Sequence, residues 1–573
     1  MARKQKLLIA NRGEIAVRIA RTARDLDIPT VAVYSDADRD ALHVEVADEA
    51  FRIGPALASA SYLAIDRILE AARKTRATLV HPGYGFLAER AQFAEAVEEA
   101  GMRFVGPPAA AIEQMGDKAA ARRAADAAGM PTAPGTRDPV DLDDARDQAA
   151  RIGFPLLVKA AFGGGGKGMH VVRDADHLEE SLRRAAREAK SYFGRPEVFL
   201  ERYLDRARHV EAQILADAHG NVSFLGERDC SVQRRHQKLI EETPSPRFDD
   251  AIRERFAEAT TALAREAGYV NAGTVECVMD EDGDFYFLEM NTRLQVEHTV
   301  TEMVTGLDIV ALQIRVALGE ELVLDPEPRG AAIQCRINAE DPGRNFLPGP
   351  GRITAYREPA GPFVRVDSGV SASREIPAEY DSMFAKLIVS GEDRETARRR
   401  MLRALDEFVV EGVPTTMPMH RWILESEAFR RSTHTTTWLE RALADAELPR
   451  FADLAATTQA QGSPADILVE VDGRRVPVRI FDERRPLAPA APAGAASHAG
   501  AHVHGEVRAP MQGTIIKVLV EKGQEVRPGD VICILEAMKM ENHIPASREG
   551  EVTDLPIHAG QVVDTNQLLA VID

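Results

Sequence analysis

The chain has 573 residues, 45% of them hydrophobic, and its 71 basic and 90 acidic side chains give a formal net charge of −19 at pH 7. A chain of this length is expected to form about three to five domains with large packed cores. The acidic balance argues against nucleic acid or an anionic membrane as a partner, so an anionic substrate would need a locally basic pocket.

The cysteines and the apolar runs indicate the expected compartment. The four cysteines, Cys230, Cys277, Cys335 and Cys533, form no CxxC pair, which argues against a structural zinc site and a disulfide framework. The run Leu7-Leu8-Ile9-Ala10 is too short for the apolar part of a signal peptide. No apolar run approaches the ~20 residues of a membrane-spanning helix. We therefore expect a cytoplasmic protein with no membrane partner.

Short strands and helices alternate at the start of the chain. The stretch Leu7 to Ala10 is typical of a strand, a helix-period stretch runs to about Leu26, and Thr30 to Tyr34 is typical of a second strand. This order predicts a parallel sheet. The GxGxxG fingerprint of dinucleotide sites does not follow the first strand. The turn-rich stretch His81 to Phe86 follows a strand predicted at 78–80, and open α/β sheets bind ligands in such loops.

A glycine-rich loop lies between two predicted strands. Residues 154–160 are predicted to form a strand with Lys159 near its end, and Gly163-Gly164-Gly165-Gly166-Lys167-Gly168 follows. The backbone N–H groups of a glycine run can bind phosphate oxygens, although a glycine run by itself is equally typical of a flexible loop. The Walker A pattern fails, because methionine and histidine follow the last glycine. Together with Lys159 and a strand at 169–172, the loop predicts a phosphate-binding lid.

The stretch from Thr274 to Asn291 predicts a β-hairpin. Two strand-like runs flank Asp282-Gly283, a strong signal for a two-residue turn. Such a turn would pair Glu276 with Glu289, with Asn291 on the same face. Directly opposed like charges destabilise a sheet, which makes sense with a cation between them. Oxygen ligands suit Mg²⁺ or Mn²⁺, and the alternative is two solvated glutamates on an exposed face.

A polar run follows the second strand of this hairpin. Its sequence is Asn291-Thr292-Arg293-Leu294-Gln295-Val296-Glu297-His298. Dense polarity directly after a buried strand is typical of an active-site loop. Arg336 interrupts a later strand-like run, a position where arginine is more often a rim residue than a functional one.

A small hairpin and a linker follow. Residues 467–471 and 476–481 flank Asp472-Gly473 and predict the hairpin. The stretch Pro486 to His504 is rich in alanine, proline and glycine and nearly free of charge, which is typical of a linker. It would span about 60 Å when extended and about 25 Å as a coil.

An internal repeat fills the last part of the chain. Six positions recur 37 residues later: Gly513, Val518, Gly523, Val526, Val531 and Ile534 become Gly550, Leu555, Gly560, Val563, Leu568 and Val571. This self-similarity predicts two copies of a half-barrel unit joined by one hairpin, with Lys539 at its tip. A lone lysine is usually a solvated charge, whereas a lysine at the centre of such symmetry is a presented group.

The segment from about Val507 to Asp573 resembles biotinyl carrier domains, because Ala537-Met538-Lys539-Met540 matches their attachment motif. The resemblance implies that Lys539 is acylated by biotin, a carrier of carboxyl groups, and hence that a biotin-protein ligase is a partner. Lipoyl domains usually show Asp-Lys-Ala at this turn, so the flanking methionines favour biotin.

The stretch from about Leu7 to Glu440 resembles the biotin carboxylases of the ATP-grasp superfamily. The resemblance implies a multidomain α/β and α+β fold followed by an all-β flattened barrel of the lipoyl/biotinyl type. The expected parts are a Rossmann-like N-terminal domain (1–115), an ATP-grasp domain with a glycine-rich lid (116–330), a biotin carboxylase C-terminal domain (331–445), a connecting hairpin region (446–485), the linker (486–504) and the carrier domain (505–573).

The resemblance also implies the site residues. Those for ATP are Lys118, Lys159, Gly164, Gly165, Gly166, Glu201, Leu204, His209 and His236. Those for Mg²⁺ or Mn²⁺ are Glu276, Glu289 and Asn291, and those for bicarbonate are Lys238, Arg293, Val296 and Arg336. Glu297 is the candidate base for bicarbonate. A lone histidine is more often packed or solvated, so the two histidines rest on the resemblance alone.

These residues predict ATP-dependent carboxylation of biotin on Lys539. ATP would convert bicarbonate to carboxyphosphate, which releases CO₂ beside the ureido nitrogen of biotin. Arg293 would position bicarbonate, and Arg336 would stabilise the ureido oxygen of biotin. No carboxyltransferase domain is visible, so we expect a separate carboxyltransferase (beta) subunit of an acyl-CoA carboxylase for acetyl-CoA and/or propionyl-CoA. We also expect an oligomer that contains biotin carboxylase dimers.

Two other functions fit part of the sequence. Another ATP-grasp ligase, for carbamoyl phosphate or an amino acid, would need an amine or peptide substrate and leaves Lys539 unexplained. A non-catalytic carrier scaffold would have lost paired carboxylates or phosphate lysines, and none of these positions is lost. Related chains with a dedicated docking domain carry a longer insert before the carrier, so the sequence leaves open how this chain docks its partner.

Overall fold

The structure is a computed structural model. It describes residues 5–136, 139–140, 142–160, 169–193, 196–444, 446, 465–471, 474–480, 505–509, 513–537, 540–563 and 567–573. The predicted linker at 486–504 lies outside these ranges, as do four of the predicted site residues: Gly164, Gly165, Gly166 and Lys539.

The N-terminal part contains a five-stranded sheet with the strand order β3-β2-β1-β4-β5. All of its neighbouring strands are parallel, which confirms the parallel sheet predicted from the alternating pattern. Its elements are β1 (Leu7–Ile9), α1 (Gly13–Asp25), β2 (Thr30–Ser35), α2 (Leu42–Val46), β3 (Glu49–Gly54), α3 (Ile65–Thr75), β4 (Leu79–His81), α4 (Ala91–Glu99), β5 (Arg103–Phe104) and α5 (Ala109–Gly116), with short 3₁₀ helices at Asp36–Asp38 and Ala58–Ala60.

Among its described residues, the middle part contains a small antiparallel sheet, ordered β7-β6-β8, five strands of a larger sheet and six helices. Its elements are α6 (Lys118–Ala127), α7 (Leu142–Ile152), β6 (Leu156–Ala160), β7 (Met169–Val172), α8 (Leu178–Phe193), β8 (Val198–Arg202), β9 (Arg208–Ala216), β10 (Val222–Arg234), β11 (Gln237–Thr243), α9 (Asp250–Glu266), β12 (Asn271–Met279), β13 (Phe285–Asn291), α10 (His298–Thr305) and α11 (Ile309–Ala317).

The third part begins with β14 and continues the larger sheet. Its elements are β14 (Ala331–Asn338), β15 (Glu340–Asp341), a 3₁₀ helix (Pro342–Arg344), β16 (Leu347–Pro348), β17 (Gly351–Arg352), β18 (Ala355–Arg357), β19 (Val364–Ser368), β20 (Glu375–Ile376), β21 (Met383–Gly391), α12 (Arg394–Glu407), β22 (Val409–Glu411), α13 (Met417–Glu425), α14 (Glu427–Arg430) and α15 (Trp438–Leu443).

One eight-stranded sheet joins the middle and third parts, with the strand order β13-β12-β9-β10-β11-β14-β21-β19. The strands β11 and β14 pair directly, with Ile240 opposite Cys335. The boundary predicted between residues 330 and 331 therefore divides a continuous sheet, and the sheet brings side chains from both sides of that boundary onto one surface.

The hairpin β12–β13 differs from the prediction in its turn and agrees with it in its pairing. β12 ends at Met279 and β13 begins at Phe285, so the turn has the five residues 280–284 instead of the two predicted. A bulge next to Glu276 then shifts the register by one residue. The longer turn and the bulge compensate each other, and Glu276 faces Glu289 as predicted.

The last part contains β23 (Ala465–Val471) and β24 (Arg474–Ile480), which pair antiparallel, and then a β-domain of two four-stranded sheets. The strands of this domain are β25 (Glu506–Arg508), β26 (Gly513–Val518), β27 (Glu525–Val526), β28 (Val531–Ala537), β29 (Met540–Pro545), β30 (Gly550–Asp554), β31 (Val562–Val563) and β32 (Leu568–Ile572). Among the described residues, no helix is both long enough and apolar enough to cross a membrane.

The two sheets of this domain confirm the predicted repeat. One sheet has the order β29-β28-β26-β31 and the other β25-β32-β30-β27. The strands β26 and β28 of the first repeat correspond to β30 and β32 of the second. The short strand of each repeat joins the sheet of the other, since β31 pairs with β26 and β27 pairs with β30.

Candidate active site

A cleft of about 1250 Å³ is lined by residues from the N-terminal, middle and third parts of the chain, and the predicted site residues among them come from the middle and third parts. Its walls are the loop around Tyr84, the small sheet, the eight-stranded sheet and the polar loop after β13. The predicted residues that line it are Lys118, Lys159, Glu201, Leu204, His209, His236, Lys238, Glu276, Glu289, Asn291, Arg293, Val296 and Arg336. Glu297 is fully buried directly behind this lining.

Three carboxylates form a row across adjacent strands of the eight-stranded sheet. Glu289 on β13 faces Glu276 on β12, and Glu276 faces Glu211 on β9. The next strand places Arg228 opposite Glu211, and its Nε donates to Glu211 Oε1 at 2.5 Å. Residues opposed in this way share one face of the sheet, so the row concentrates negative charge at the cleft wall.

Lys238 partly neutralises this row. Its Nζ donates to Glu211 Oε2 at 2.6 Å, to Glu276 Oε1 at 2.8 Å and to Glu297 Oε1 at 2.7 Å. Burial alone would lower the pKa of Lys238, but the three carboxylates raise it well above its usual value. Lys238 is therefore a fixed positive charge at neutral pH.

Glu297 lies between two cations. Its Oε1 accepts from Lys238, and its Oε2 accepts from Arg336 Nη2 at 3.0 Å. Burial would raise the pKa of Glu297, but Lys238, Arg336 and Arg228 hold it below the usual range of a carboxyl group. Arg336 itself is oriented by Glu241, whose Oε1 accepts from Arg336 Nε at 2.5 Å.

The polar loop is held by contacts among its own residues. Arg293 donates to Asn291 Oδ1 at 3.0 Å and to Gln295 Oε1 at 2.8 Å. Gln295 Nε2 in turn donates to Glu276 Oε1 at 2.8 Å. Arg293 also lies 3.0 Å from Glu89, which comes from the N-terminal part. The loop thus presents its arginine to the cleft in a defined orientation.

The residues predicted as metal ligands fit a divalent cation. Asn291 Nδ2 donates to Glu276 Oε1 at 2.8 Å, so the amide lies beside the opposed pair. The Glu289 side chain is exposed to the cleft, yet partial desolvation by the protein around it, together with Glu276 and Glu89, raises the pKa of Glu289. A carboxylate in such a position lacks positive charge, and Mg²⁺ or Mn²⁺ between Glu276 and Glu289 would supply it.

Two of the residues predicted for ATP are lysines that lie near each other in the cleft. Lys118 is the first residue of α6, directly after the N-cap Asp117. Lys159 near the end of β6 contacts Glu201 on β8. Burial, reinforced by the nearby cations Lys118 and Arg122, lowers the pKa of Lys159 to about 7. Polyanionic phosphates would restore its charge.

The remaining predicted residues for ATP occupy three positions of the cleft. Leu204 follows β8 and lines the cleft. His209 Nε2 lies 3.1 Å from Glu276 Oε2, which places it at the carboxylate row. Arg235 and His236 form a tight turn between β10 and β11, and both have positive φ, 48° and 63°. The structure therefore brings both predicted histidines to the cleft that holds Lys118 and Lys159.

The prediction did not include Glu211 and Glu89, whereas Gln295 and Tyr84 lie within the polar run and the turn-rich stretch that it identified. For Glu211 a signal existed, since His209, Glu211 and Gln213 alternate along β9, whose nine residues are all buried. Polar side chains at every second position of a buried strand indicate a polar site on one face. Glu89 reaches Arg293 by tertiary packing, which no local pattern shows.

Four family matches cover most of the chain. These are "Biotin carboxylase, N-terminal domain" over residues 3–112, "Carbamoyl-phosphate synthase L chain, ATP binding domain" over 117–324, "Biotin carboxylase C-terminal domain" over 334–441 and "Biotin-requiring enzyme" over 505–572.

Individual proteins are similar over long stretches. The biotin-dependent acyl-coenzyme A carboxylase alpha3 subunit of Mycobacterium leprae is 47% identical, with 99% of this chain and 98% of the relative covered. Biotin carboxylase 1 of Bacillus subtilis is 52% identical over 76% of this chain and 98% of its own length.

Solved structures agree with these matches. A biotin carboxylase from Campylobacter jejuni, in complex with beta-gamma-ATP, superposes with a TM-score of 0.73 at 44% identity, covering 76% of this chain and 98% of its own. The biotin carboxylase domain dimer of 2-oxoglutarate carboxylase from Hydrogenobacter thermophilus, with MgADP, ADP and bicarbonate, gives a TM-score of 0.72 at 45% identity, covering 77% and 99%.

Proposed function

We propose the roles of individual residues from the premise that this chain belongs to the family of biotin carboxylases joined to a biotinyl carrier domain. An enzyme of this family carboxylates biotin at the expense of ATP and passes the carboxyl group to a carboxyltransferase. The observation that carries the assignment to this cleft is the buried Lys238–Glu297–Arg336 cluster, which lies beside the opposed carboxylates Glu276 and Glu289.

The first set of roles concerns ATP. Lys118 and Lys159 neutralise phosphate oxygens, and the loop with Gly164, Gly165 and Gly166 covers them. We assign the remaining contacts with the nucleotide to Glu201, Leu204, His209 and His236, which line the same cleft. Phosphoryl transfer depends mainly on positioning and charge neutralisation, and Lys118 and Lys159 supply positive charge for the neutralisation.

The second set concerns the metal. Glu276, Glu289 and Asn291 would hold Mg²⁺ or Mn²⁺, as their oxygen donors and the raised pKa of Glu289 support. When bound, the ion would supply positive charge that offsets the negative charge developing during phosphoryl transfer. Lys238 donates to both Glu211 and Glu276 and so holds the Glu276 carboxylate in place.

The third set concerns bicarbonate and biotin. We assign the role of general base to Glu297, whose two ion pairs set its pKa. While Lys238 and Arg336 both contact Glu297, its pKa lies far below neutral and it is a weak base. An anionic substrate that takes hydrogen bonds from these cations would raise the pKa of Glu297 and make it a better base. Arg293 and Val296 position bicarbonate, and Arg336 also stabilises the ureido oxygen of biotin.

The carrier arm and the partners complete the proposal. Biotin attached to Lys539 by a biotin-protein ligase would reach the cleft and then a carboxyltransferase (beta) subunit. The full-length similarity to an acyl-coenzyme A carboxylase alpha3 subunit supports an acyl-CoA acceptor, acetyl-CoA and/or propionyl-CoA. We further propose pairing of the carboxylase units as dimers and a cytoplasmic location, in keeping with four free, buried cysteines.

The domain division also stays part of the proposal. Its limits are 1–115, 116–330, 331–445, 446–485, 486–504 and 505–573, and the second and third of these domains share the eight-stranded sheet.

Three measurements on the full chain test the function. Protein produced together with a biotin-protein ligase should bind streptavidin, and its ATP cleavage should require bicarbonate and biotin. With a purified partner subunit, acetyl-CoA and propionyl-CoA are then compared as acceptors. ATP cleavage that ignores bicarbonate, or that needs an amine substrate instead, would contradict the proposal and favour another ATP-grasp ligase.

A further inference from the structure

We infer that Lys386 is a positioning residue for the bicarbonate-binding loop: it holds the carbonyl group of Val296, and Glu14 supplies its counter-charge. The inference rests on the proposed function of that loop. Lys386 does not line the cleft, so its effect on the reaction is indirect.

The first observation is the contact itself. Lys386 lies on β21 with none of its side chain exposed, and its Nζ donates to the Val296 carbonyl oxygen at 3.0 Å. A buried ammonium group is costly unless it is paired, and an apolar side chain would serve the sheet at least as well. An apolar side chain could not donate this hydrogen bond to the loop, which accounts for a buried charge at this position.

The second observation is the register of the sheet. Arg336 on β14 faces Lys386 on β21, and Lys386 faces Asp367 on β19. Two consecutive loop residues are thus anchored to two adjacent cations: the carbonyl of Val296 to Lys386 and the carboxylate of Glu297 to Arg336. Because a peptide group is planar, holding the Val296 carbonyl fixes the direction in which the Glu297 backbone begins.

The third observation concerns the partner carboxylates. Glu14 Oε2 lies 3.3 Å from Lys386 Nζ, and Asp367 Oδ2 lies 3.9 Å from it. Asp367 is already bound by Arg365, whose Nη2 lies at 2.7 Å, whereas neither oxygen of Glu14 accepts a hydrogen bond within the described residues. Glu14 is therefore the carboxylate that depends on Lys386.

Close backbone packing keeps Glu14 in this place. Glu14 is the second residue of α1, in the N-terminal part of the chain. A Cβ atom added to Gly369, just after β19, would lie 2.6 Å from the Glu14 backbone nitrogen. The start of α1 is thus in direct contact with the third part of the chain, and Lys386 links the N-terminal part to the loop.

The charge of Glu14 allows a discriminating experiment. Burial raises the pKa of Glu14 to about 7, with Lys386 acting in the opposite direction. Lys386→Met leaves a buried carboxyl group without its cation, whereas the double variant Lys386→Met/Glu14→Gln leaves no unpaired charge at this position. A structural role predicts that the double variant restores both stability and kinetics, and a positioning role predicts that it restores stability alone.

We expect both variants, made in the full biotinylated chain, to show a KM for bicarbonate at least about tenfold above that of the unmodified protein. The Kd for ATP should stay within about twofold, because Lys386 contacts none of the residues assigned to the nucleotide. The Tm should fall in Lys386→Met and recover in the double variant. Bicarbonate-dependent ATP cleavage, nucleotide binding and thermal unfolding are measured on each protein.

Arg398→Met is the matched control. Arg398 is also a buried cation that donates to a backbone carbonyl, Leu424 O at 2.9 Å, and pairs with a glutamate, Glu395, at 2.7 Å. It does not contact the loop, so we expect a lower Tm with an unchanged KM for bicarbonate. If Lys386→Met does not fold, the double variant carries the test.

The possible results distinguish a failure of the proposed function from a failure of the proposed role of Lys386. If the unmodified protein shows no bicarbonate-dependent ATP cleavage, the proposed function fails. If it does, and the double variant regains both Tm and KM, Lys386 is a structural residue and the inference is overturned. A KM defect that persists at recovered Tm supports positioning.

Discussion

The hairpins β12–β13 and β28–β29 carry their proposed functional residues in different places, in the strands of the first and between the strands of the second. In β12–β13 the proposed metal ligands Glu276 and Glu289 face each other in the paired strands, and the turn at 280–284 connects the strands. In β28–β29 the strands pair up to Ala537 and Met540, and the residue proposed to carry biotin, Lys539, is one of the two between them. Register therefore matters for the first hairpin, and turn chemistry for the second.

The sharpest test of this contrast is Lys539→Ala. It should abolish streptavidin binding and transfer to a partner subunit, because the only proposed attachment point is gone. ATP cleavage driven by free biotin should persist, since the cleft is untouched. Loss of both activities would show that the arm is not separable from the cleft.

Glu297→Gln tests the loop that leaves β13. We expect bicarbonate-dependent ATP cleavage to fall about 100-fold or more, because the base is removed while the side-chain shape is kept. ATP binding, followed by calorimetry, should stay close to that of the unmodified chain. A near-normal rate would remove Glu297 from the role of base.

Glu276→Gln tests the paired strands. The Mg²⁺ concentration needed for half-maximal activity should rise at least about tenfold, because one of two opposed carboxylates is neutralised. The control is Glu281→Gln in the turn of the same hairpin, where the exposed Glu281 pairs only with Arg206 among the described residues. An identical metal titration in both variants would refute the role of the pairing.

In a third hairpin, β6–β7, Lys159, which we propose binds ATP, lies in a strand, and the glycine run lies between the two strands in the sequence. Because the pKa of Lys159 is lowered to about 7, its side chain is increasingly neutral above pH 7, whereas bound phosphates favour the charged form. The Kd for ATP should therefore rise as pH increases from 7 to 9, by up to about tenfold per unit. Calorimetry in buffers of different ionisation enthalpy should show proton uptake, and Lys159→Arg should remove both effects.

The smallest effect is expected for Asp282→Ala, in the turn of β12–β13. Because Asp282 is exposed and outside the cleft, activity and metal requirement should stay within about twofold of the unmodified protein. A large loss would mean that the turn sets the register, and the contrast between the two hairpins would not hold.

Local patterns predicted much of the fold and part of the site. The alternation of strands with helices predicted the parallel sheet, and the internal sequence repeat predicted the two half-barrels. The pairing of Glu276 with Glu289 was predicted from a two-residue turn. The turn has five residues, and a bulge next to Glu276 restores the predicted pairing. A bulge depends on the packing of a particular strand and leaves no simple mark in a sequence.

The remaining parts of the site depend on contacts distant in sequence. Lys386 contacts Val296, which lies 90 residues earlier in the sequence, and Glu14 near the start of the chain contacts Lys386. A lysine in an apolar strand resembles any edge or rim residue until its neighbours are known. For His209 and His236 only the family resemblance supplied the signal.

The exchange of short strands in the carrier domain bears on its origin. Because β27 completes the sheet of the second repeat and β31 that of the first, one repeat by itself would expose an unfinished sheet. An ancestral peptide of half this length could have satisfied both edges only by assembling as a twofold homodimer. Gene duplication would then have fused an existing assembly into a single polypeptide.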